Sequence, residues 1–343
     1  MTYSLSMPHI VAIRFTPQRE GVFLEVAFYF LAKPSCRLPT SQARGMSVRP
    51  MDALVTIAFR APRPELAPYI SSYYEFVVKG DREVEDYLHP EWGNIRVALD
   101  KPWIIGSDAD GARRYSGVPS ILHGSTSRPT YVRGSGSSFG IGILPLGWNR
   151  LFRMDASSLA DRLVPLVSVL DDTPGASFIQ GMLAAPDFDA RKAVADRFLW
   201  DRISGSRPDR SARLVTGLLA LLADPDNSTV EHLTVPLGIN QVQLARLSKR
   251  RLGFTPKLLL RRQRFLRMLG IMHGRPYAEW RDFIDPQYSD QSHLVRDFQY
   301  FVGMSPSAYF NMPRPILAAA ATARAAMFGQ PLQGLHGAPR LKQ

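Results

Sequence analysis

One pattern occurs twice in the last third of this 343-residue chain, and it restricts that third to helices joined by short turns. In the first copy Asn240 precedes a run with Leu244, Leu247 and Leu252 on one helical face, and Gly253-Phe254-Thr255-Pro256 follows. In the second, Ser289 precedes Leu294, Phe298 and Phe301, and Gly303-Met304-Ser305-Pro306 follows. Apolar residues three and four apart share one side of a helix. Asn and Ser are good N-caps because their side chains accept from the free N–H groups of the first turn. Gly ends a helix in the left-handed conformation. Thr-Pro or Ser-Pro then starts the next helix, since proline lacks an N–H where none is needed. The pattern predicts helices over 241–252 and 290–302, with support segments at 229–236 and 276–283. A long basic helix over 255–273 joins the two units. A helix–turn–helix of this kind lays its second helix in the major groove of DNA.

The charge agrees with such a partner. The chain carries a net +12, and between Glu231 and Glu279 it has no carboxylate at all. The same stretch holds ten cations: Arg246, Lys249, Arg250, Arg251, Lys257, Arg261, Arg262, Arg264, Arg267 and Arg275. Single-sign fields of this density attract polyphosphate, whereas solvated helix faces usually interleave both signs.

Ahead of these units the chain changes character. Residues 1–50 are rich in proline and read as an irregular leader. Residues 51–175 carry short β-type runs, such as Val55-Thr-Ile-Ala-Phe59 and Ile141-Gly-Ile-Leu144, with recurrent Gly and Asp turn signals. Many short strands with frequent turns predict a barrel or sandwich. Short helices are expected at 65–74 and 159–170. Residues 176–210 read as a helical connector with a hinge at 205–208, and 211–313 as an all-helical unit. Residues 314–343 read as a flexible tail with one helix at 316–327. The fold class is therefore α+β and multi-domain. The most apolar run, 22–32, is eleven residues long and contains Glu25, which is too short to span a bilayer. The single cysteine, Cys36, can form neither an internal disulfide nor a cysteine zinc site, which points to a reducing cytoplasm.

Three stretches resemble the AraC/XylS-type transcription regulators. They are Leu237-Gly-Ile-Asn-Gln-Val-Gln-Leu-Ala-Arg-Leu-Ser248, Leu252-Gly-Phe-Thr-Pro-Lys-Leu-Leu-Leu-Arg-Arg262, and Tyr288-Ser-Asp-Gln-Ser-His-Leu-Val-Arg-Asp-Phe298 with Gly303-Met-Ser-Pro306. The resemblance covers 230–310. It implies a sequence-specific DNA-binding regulator whose two recognition helices read adjacent major grooves. Carried over by position, base contacts fall to Gln241, Val242, Ala245 and Arg246 in the first helix, and to Gln291, Ser292 and Arg296 in the second. Arg can fork onto guanine, Gln can pair with adenine, and Val or Ala can touch a thymine methyl. Lys249, Arg250, Lys257 and His293 are the candidate phosphate contacts, which position without specifying. Ser248 departs from the family, where a Phe commonly sits. The N-terminal half, with Ile121-Leu-His-Gly124 and 140–148, resembles the cupin-like sensor domains that precede such readers. That likeness implies modulation by a small-molecule effector and a homodimerisation role, with RNA polymerase as a further partner.

Other chemistries find little support. Gly136-Ser137-Ser138-Phe139-Gly140 matches the esterase pattern G-x-S-x-G, but that motif needs a strand before and a helix after it, and here a turn and then a strand are expected. His89 and His123 lack the clustered ligands a metal needs, so no metal, no cofactor and no catalytic residue is expected. Trp92, Trp103 and Trp148 read as core aromatics. Two other classes stay open: a cupin-type enzyme, which would need a catalytic constellation, and a nonspecific nucleic-acid-binding protein, which would not need paired recognition helices.

Overall fold

The computed structural model describes residues 10–18, 21–28, 55–80, 82–107, 113–206, 209–273, 288 and 290–335. Its N-terminal part is built from two antiparallel sheets. The larger sheet has eight strands in the order β1-β2-β3-β4-β11-β6-β9-β12. These are β1 (Ile10–Gln18), β2 (Gly21–Phe28), β3 (Val55–Arg60), β4 (Ile70–Val78), β11 (Gly136–Ile143), β6 (Gly93–Ala98), β9 (Ser120–His123) and β12 (Leu163–Pro165). The smaller sheet runs β5 (Val84–Leu88), β10 (Thr130–Gly134), β7 (Ile104–Ser107), β8 (Arg113–Tyr115). Alternation explains the facing of β3: Val55, Ile57 and Phe59 are buried while Thr56, Ala58 and Arg60 are partly open. Those three meet Phe76 and Val78 of β4, and Val84, Ile105 and Val132 of the smaller sheet, in one apolar core.

A second core lies on the other side of the larger sheet. There Ile95, Phe139 and Ile141 meet α1 (Pro145–Phe152), α2 (Thr173–Ala184) and α3 (Phe188–Ser204). The C-terminal part is helical: α4 (Ala212–Ala223), α5 (Glu231–Leu237), α6 (Gln241–Leu252), α7 (Pro256–Met272), α8 (Gln291–Val302), α9 (Pro306–Asn311) and α10 (Pro315–Phe328). The expected architecture, β sheets first and helices after, is the one observed.

Several local expectations are corrected. The first 50 residues are not irregular throughout, because β1 and β2 form a hairpin from Ile10 to Phe28 and β2 pairs with β3. The apolar run counted against a membrane span is largely strand β2. At 65–74 a single 3-10 turn, Pro64–Leu66, gives way to β4, whose Ile70, Tyr73, Tyr74, Phe76, Val77 and Val78 suit a pleated surface better than a helix. At 159–170 lie β12 and one 3-10 turn, Leu166–Ser168, and a further 3-10 turn, Ala156–Ser158, precedes them. The esterase-like motif is not a turn, since 136–140 lies within β11, which opens at Gly136.

The helix expected at 316–327 is present as α10, but it is packed rather than free. Ile316, Ala319 and Ala323 enter the core between the two sheets. Small alanines allow the helix axis to come close to the strands. The buried carboxylate of Asp86 accepts from Leu317 N at 2.9 Å and from Tyr87 N at 2.7 Å. Burial pushes its pKa up to about 7, and those two N–H donors hold it from rising further. Because the folded value exceeds the unfolded one, the stability this group contributes is complete below about pH 4 and is lost as pH rises through about 7. Between these limits the wild type should lose stability relative to Asp86→Asn, by no more than a few kcal/mol. Urea unfolding of both proteins at the two ends of the window checks this, and parallel pH profiles would refute it.

Candidate nucleic-acid interface

The two repeated units fold alike where the structure describes both. Helix α6 begins with a capping box: Asn240 Oδ1 accepts from Gln243 N at 2.9 Å, and Gln243 Oε1 accepts from Asn240 N at 3.0 Å. Helix α8 is capped by Asp290, whose Oδ1 accepts from His293 N at 2.7 Å. The cap therefore falls one residue after the expected Ser289, which itself lies outside the described residues. Both helices end on left-handed glycines, Gly253 at φ 94° and Gly303 at φ 74°, a conformation that a side chain would strain. Thr255 then caps α7, accepting from Leu258 N, and Ser305 caps α9, accepting from Ala308 N. The second support segment, 276–283, and Arg275 lie outside the described residues.

Each helix buries the face the spacing selected. Leu244 and Leu252 are fully buried, Leu247 partly so, and all three join α4, α5 and the start of α7 in one core. Leu294, Phe298 and Phe301 are fully buried against Phe265, Leu269 and Met272 of α7. Phe265 stacks on Phe301 at 4.9 Å between ring centroids and meets Phe298 edge-on at 5.1 Å. Ser248, at the position where a Phe was looked for, is fully buried, and its hydroxyl donates to Phe254 O at 2.5 Å. The polar side chain thus satisfies the turn instead of filling the core.

The candidate base contacts lie on the opposite faces. Gln241, Val242 and Arg246 are exposed on α6, Val242 at 70%, and Ala245 is half-buried. Gln291, Ser292 and Arg296 are exposed on α8. Gln241 Nε2 donates to Glu231 Oε1 at 3.0 Å, so it must exchange a partner to reach a base.

The cations divide into two groups that sequence alone does not separate. Arg246, Lys249, Lys257 and Arg296 are exposed, and their side chains form no ion pair among the described residues. Most of the others are engaged inside the fold. Arg261 Nε donates to Asp297 Oδ1 at 2.6 Å, and Arg264 reaches Asp297 Oδ2 at 3.5 Å. Asp297 is fully buried and also accepts from Tyr288 OH at 2.9 Å. His293 Nε2 faces Arg264 Nη2 at 3.2 Å, which ties it to this network as well as to the helix start. Arg251 pairs with Asp209, and Arg250, a candidate phosphate contact, pairs with Asp155 of the N-terminal part at 3.1 Å.

Arg262 is the extreme case. It is 0% exposed, lies 3.9 Å over the Trp92 ring, and donates from Nη1 to Thr126 O at 2.9 Å. Desolvation lowers its pKa to about 9, offset by Asp161 and Glu91, so it stays protonated at neutral pH. Trp92 itself sits in one core with Leu218, Leu244 and Leu259. The helical part is thus seated on the β part through shared apolar packing. Further contacts join Arg128 to Tyr300 at 3.7 Å and His89 Nε2 to Tyr309 OH at 2.6 Å.

Neither His89 nor His123 is isolated. His123 is fully buried, with Nδ1 at 3.0 Å from Arg96 Nη1 and Nε2 at 3.2 Å from Thr130 Oγ1, beside Glu91. Burial lowers its pKa. Among the described residues no group of three or more His, Cys, Asp or Glu is placed to hold a metal ion. Among them, too, no helix is long and apolar enough to cross a membrane.

The sequence matches no protein-family model and no curated protein. Several solved structures match, among them the following three. An apo point variant of ToxT from Vibrio cholerae is 11% identical, with 77% of this chain and 99% of that chain covered at a TM-score of 0.39. Unsaturated fatty acid bound ToxT from Vibrio cholerae is 10% identical, with 68% and 98% covered at 0.38. The AraC-like transcriptional activator CuxR is 17% identical, with 66% and 82% covered at 0.28. At these scores the similarity carries no assignment of function.

Proposed function

We propose that the protein is a sequence-specific DNA-binding transcription regulator of the AraC type and not an enzyme. The observation that carries this reading is the pair α6 and α8. Each is a capped twelve-residue helix with its apolar face buried and a polar face open, ending in Gly and followed by a second capped helix. Helices of this size fit the major groove. The open faces offer Gln241, Val242, Ala245 and Arg246, and Gln291, Ser292 and Arg296, to base edges. Lys249 and Lys257 flank them as phosphate contacts, joined by Arg250 once it leaves Asp155, while His293 serves α8 packing first. The β part acts as the sensor, with a small-molecule effector, homodimerisation and contact with RNA polymerase as its routes of control in the cytoplasm.

Selection of bound sites by the full chain from a randomised duplex pool tests the reading. A discrete motif should be enriched, and affinity should fall about tenfold or more between ~50 and ~200 mM salt. Strong binding with no enriched motif would instead support a nonspecific nucleic-acid-binding protein, and no binding at low salt would remove DNA as the partner.

A further inference from the structure

The glycines that end α6 and α8 both face the β part, each against a different loop. A side-chain carbon at Gly253 would lie 3.4 Å from Ala156 O and from Ala160 Cβ, so the end of α6 rests on the loop 153–161. Ala160 also packs against the core beneath α6. A side-chain carbon at Gly303 would lie 3.2 Å from Pro129 Cγ, so the end of α8 rests on the loop 124–129. Arg128 of that loop stacks 3.7 Å over the Tyr300 ring and donates to Tyr300 O at 3.4 Å. From α7, which runs beneath both units, Arg262 donates to Thr126 O at 2.9 Å in the same loop.

One side chain ties the two loops together. Asp161 Oδ1 accepts from Ser127 N at 2.5 Å and from Arg128 N at 3.0 Å, and Oδ2 accepts from Ser127 Oγ at 2.7 Å. The backbones join as well: Asp161 N donates to Ser125 O at 3.0 Å, and Gly124 N donates to Arg162 O at 3.1 Å. Asp161 sits at φ 58°, one of two non-glycine residues with positive φ among the described residues. L side chains seldom adopt that conformation, though Asp and Asn bear it better than most. It persists only where the surroundings over-determine it. Here the three bonds accepted by the carboxylate do so.

We propose that Asp161 is a positioning residue for recognition: by locking the two loops together it fixes the ends of α6 and α8 relative to each other, and so sets the spacing between the two base motifs that the chain reads. The proposal rests on the regulator reading and adds a determinant that touches no DNA. One base pair added between two motifs moves the second by about 3.4 Å along the duplex and about 35° around it. A pair of helices held at both ends tolerates that shift poorly, and a loosened pair follows it.

The test uses the full chain and the motif enriched from a randomised duplex pool. Affinity is measured on that duplex and on duplexes with the two halves of the motif one base pair closer or further apart. The wild type should lose about tenfold or more on either change. Asp161→Ala should reduce that loss to about threefold or less, while base preference within each half stays the same. Asp161→Asn bears the left-handed conformation and keeps an acceptor for Ser127 N and Arg128 N, so it should discriminate nearly as the wild type does. Lower stability alone shrinks the active fraction equally for every duplex and leaves these ratios unmoved. Arg128→Ala, which frees the second loop from Tyr300, should relax spacing as Asp161→Ala does, and it decides if Asp161→Ala does not fold. Unchanged ratios in the deciding variant overturn the proposal alone. So does a wild-type motif that is undivided, an altered base preference within a half, or an Asp161→Asn chain no better than Asp161→Ala. A pool with no enriched motif removes the regulator reading, and this proposal with it.

Discussion

Asp297→Ala should unfold the second repeated unit at a denaturant concentration well below that of the wild type, with a cost of about 3–5 kcal/mol. The carboxylate is fully buried and is shared by Arg261, Arg264 and Tyr288. Removing it strands two guanidinium groups and a phenol in a low-dielectric setting, and it is these orphans, rather than the lost attraction, that dominate the cost. Arg261 is partly open at its outer side and can recover some hydration, so the lower end of the range applies if the side chain swings out. Asp297→Asn keeps an acceptor for Tyr288 and should cost less than Asp297→Ala. Chemical denaturation followed by tryptophan fluorescence and by exchange over 291–311 separates the two. Equal stability of wild type and Asp297→Ala would show that the buried network is unimportant to the fold.

The second large effect concerns recognition. Arg246→Ala and Arg296→Ala should each weaken binding to the selected site by about 1–3 kcal/mol and relax preference at one or two base positions. Both side chains are exposed on the open faces of α6 and α8 and form no ion pair among the described residues. Lys257 stands one residue after the Thr255-Pro256 start of α7, where a helix N-terminus and a cation both favour phosphate. Its replacement by Ala should weaken all sequences about equally and lower the salt slope by about one unit. Site selection by each variant at two salt concentrations is the measurement. Uniform loss with unchanged preference in the arginine variants would move those residues to the phosphate class.

What the sequence revealed follows from the range of the interactions involved. The caps, the paired glycines and the buried leucines and phenylalanines of α6 and α8 are local, so spacing alone exposes them. The ten cations are a different matter. Read along the chain they form one field with no acid inside it. In the fold, Asp155, Asp209 and Asp297 reach Arg250, Arg251 and Arg261 from 95, 42 and 36 residues away. Arg262 leaves the surface altogether because Trp92 receives it from another part of the chain. No local pattern announces such pairings. The same holds for α10. Its alanines read as a weakly packed tail, yet small side chains are what lets it lie against two sheets. The hairpin of β1 and β2 was hidden by the prolines of the first 50 residues; the one within it, Pro17, stands opposite Val22 near the end of the ladder rather than in its paired centre.

Helix α7 carries both units. Its Leu259 and Leu260 belong to the core beneath α6, while Phe265, Leu266 and Leu269 belong to the core beneath α8. Seventeen residues at 1.5 Å each make a rod of about 25 Å. Such a rod is also a protractor. One residue inserted after Arg262 would turn everything beyond it by about 100° while advancing it only about 1.5 Å. The two open faces would then point to different sides of the molecule, with every side chain on them intact.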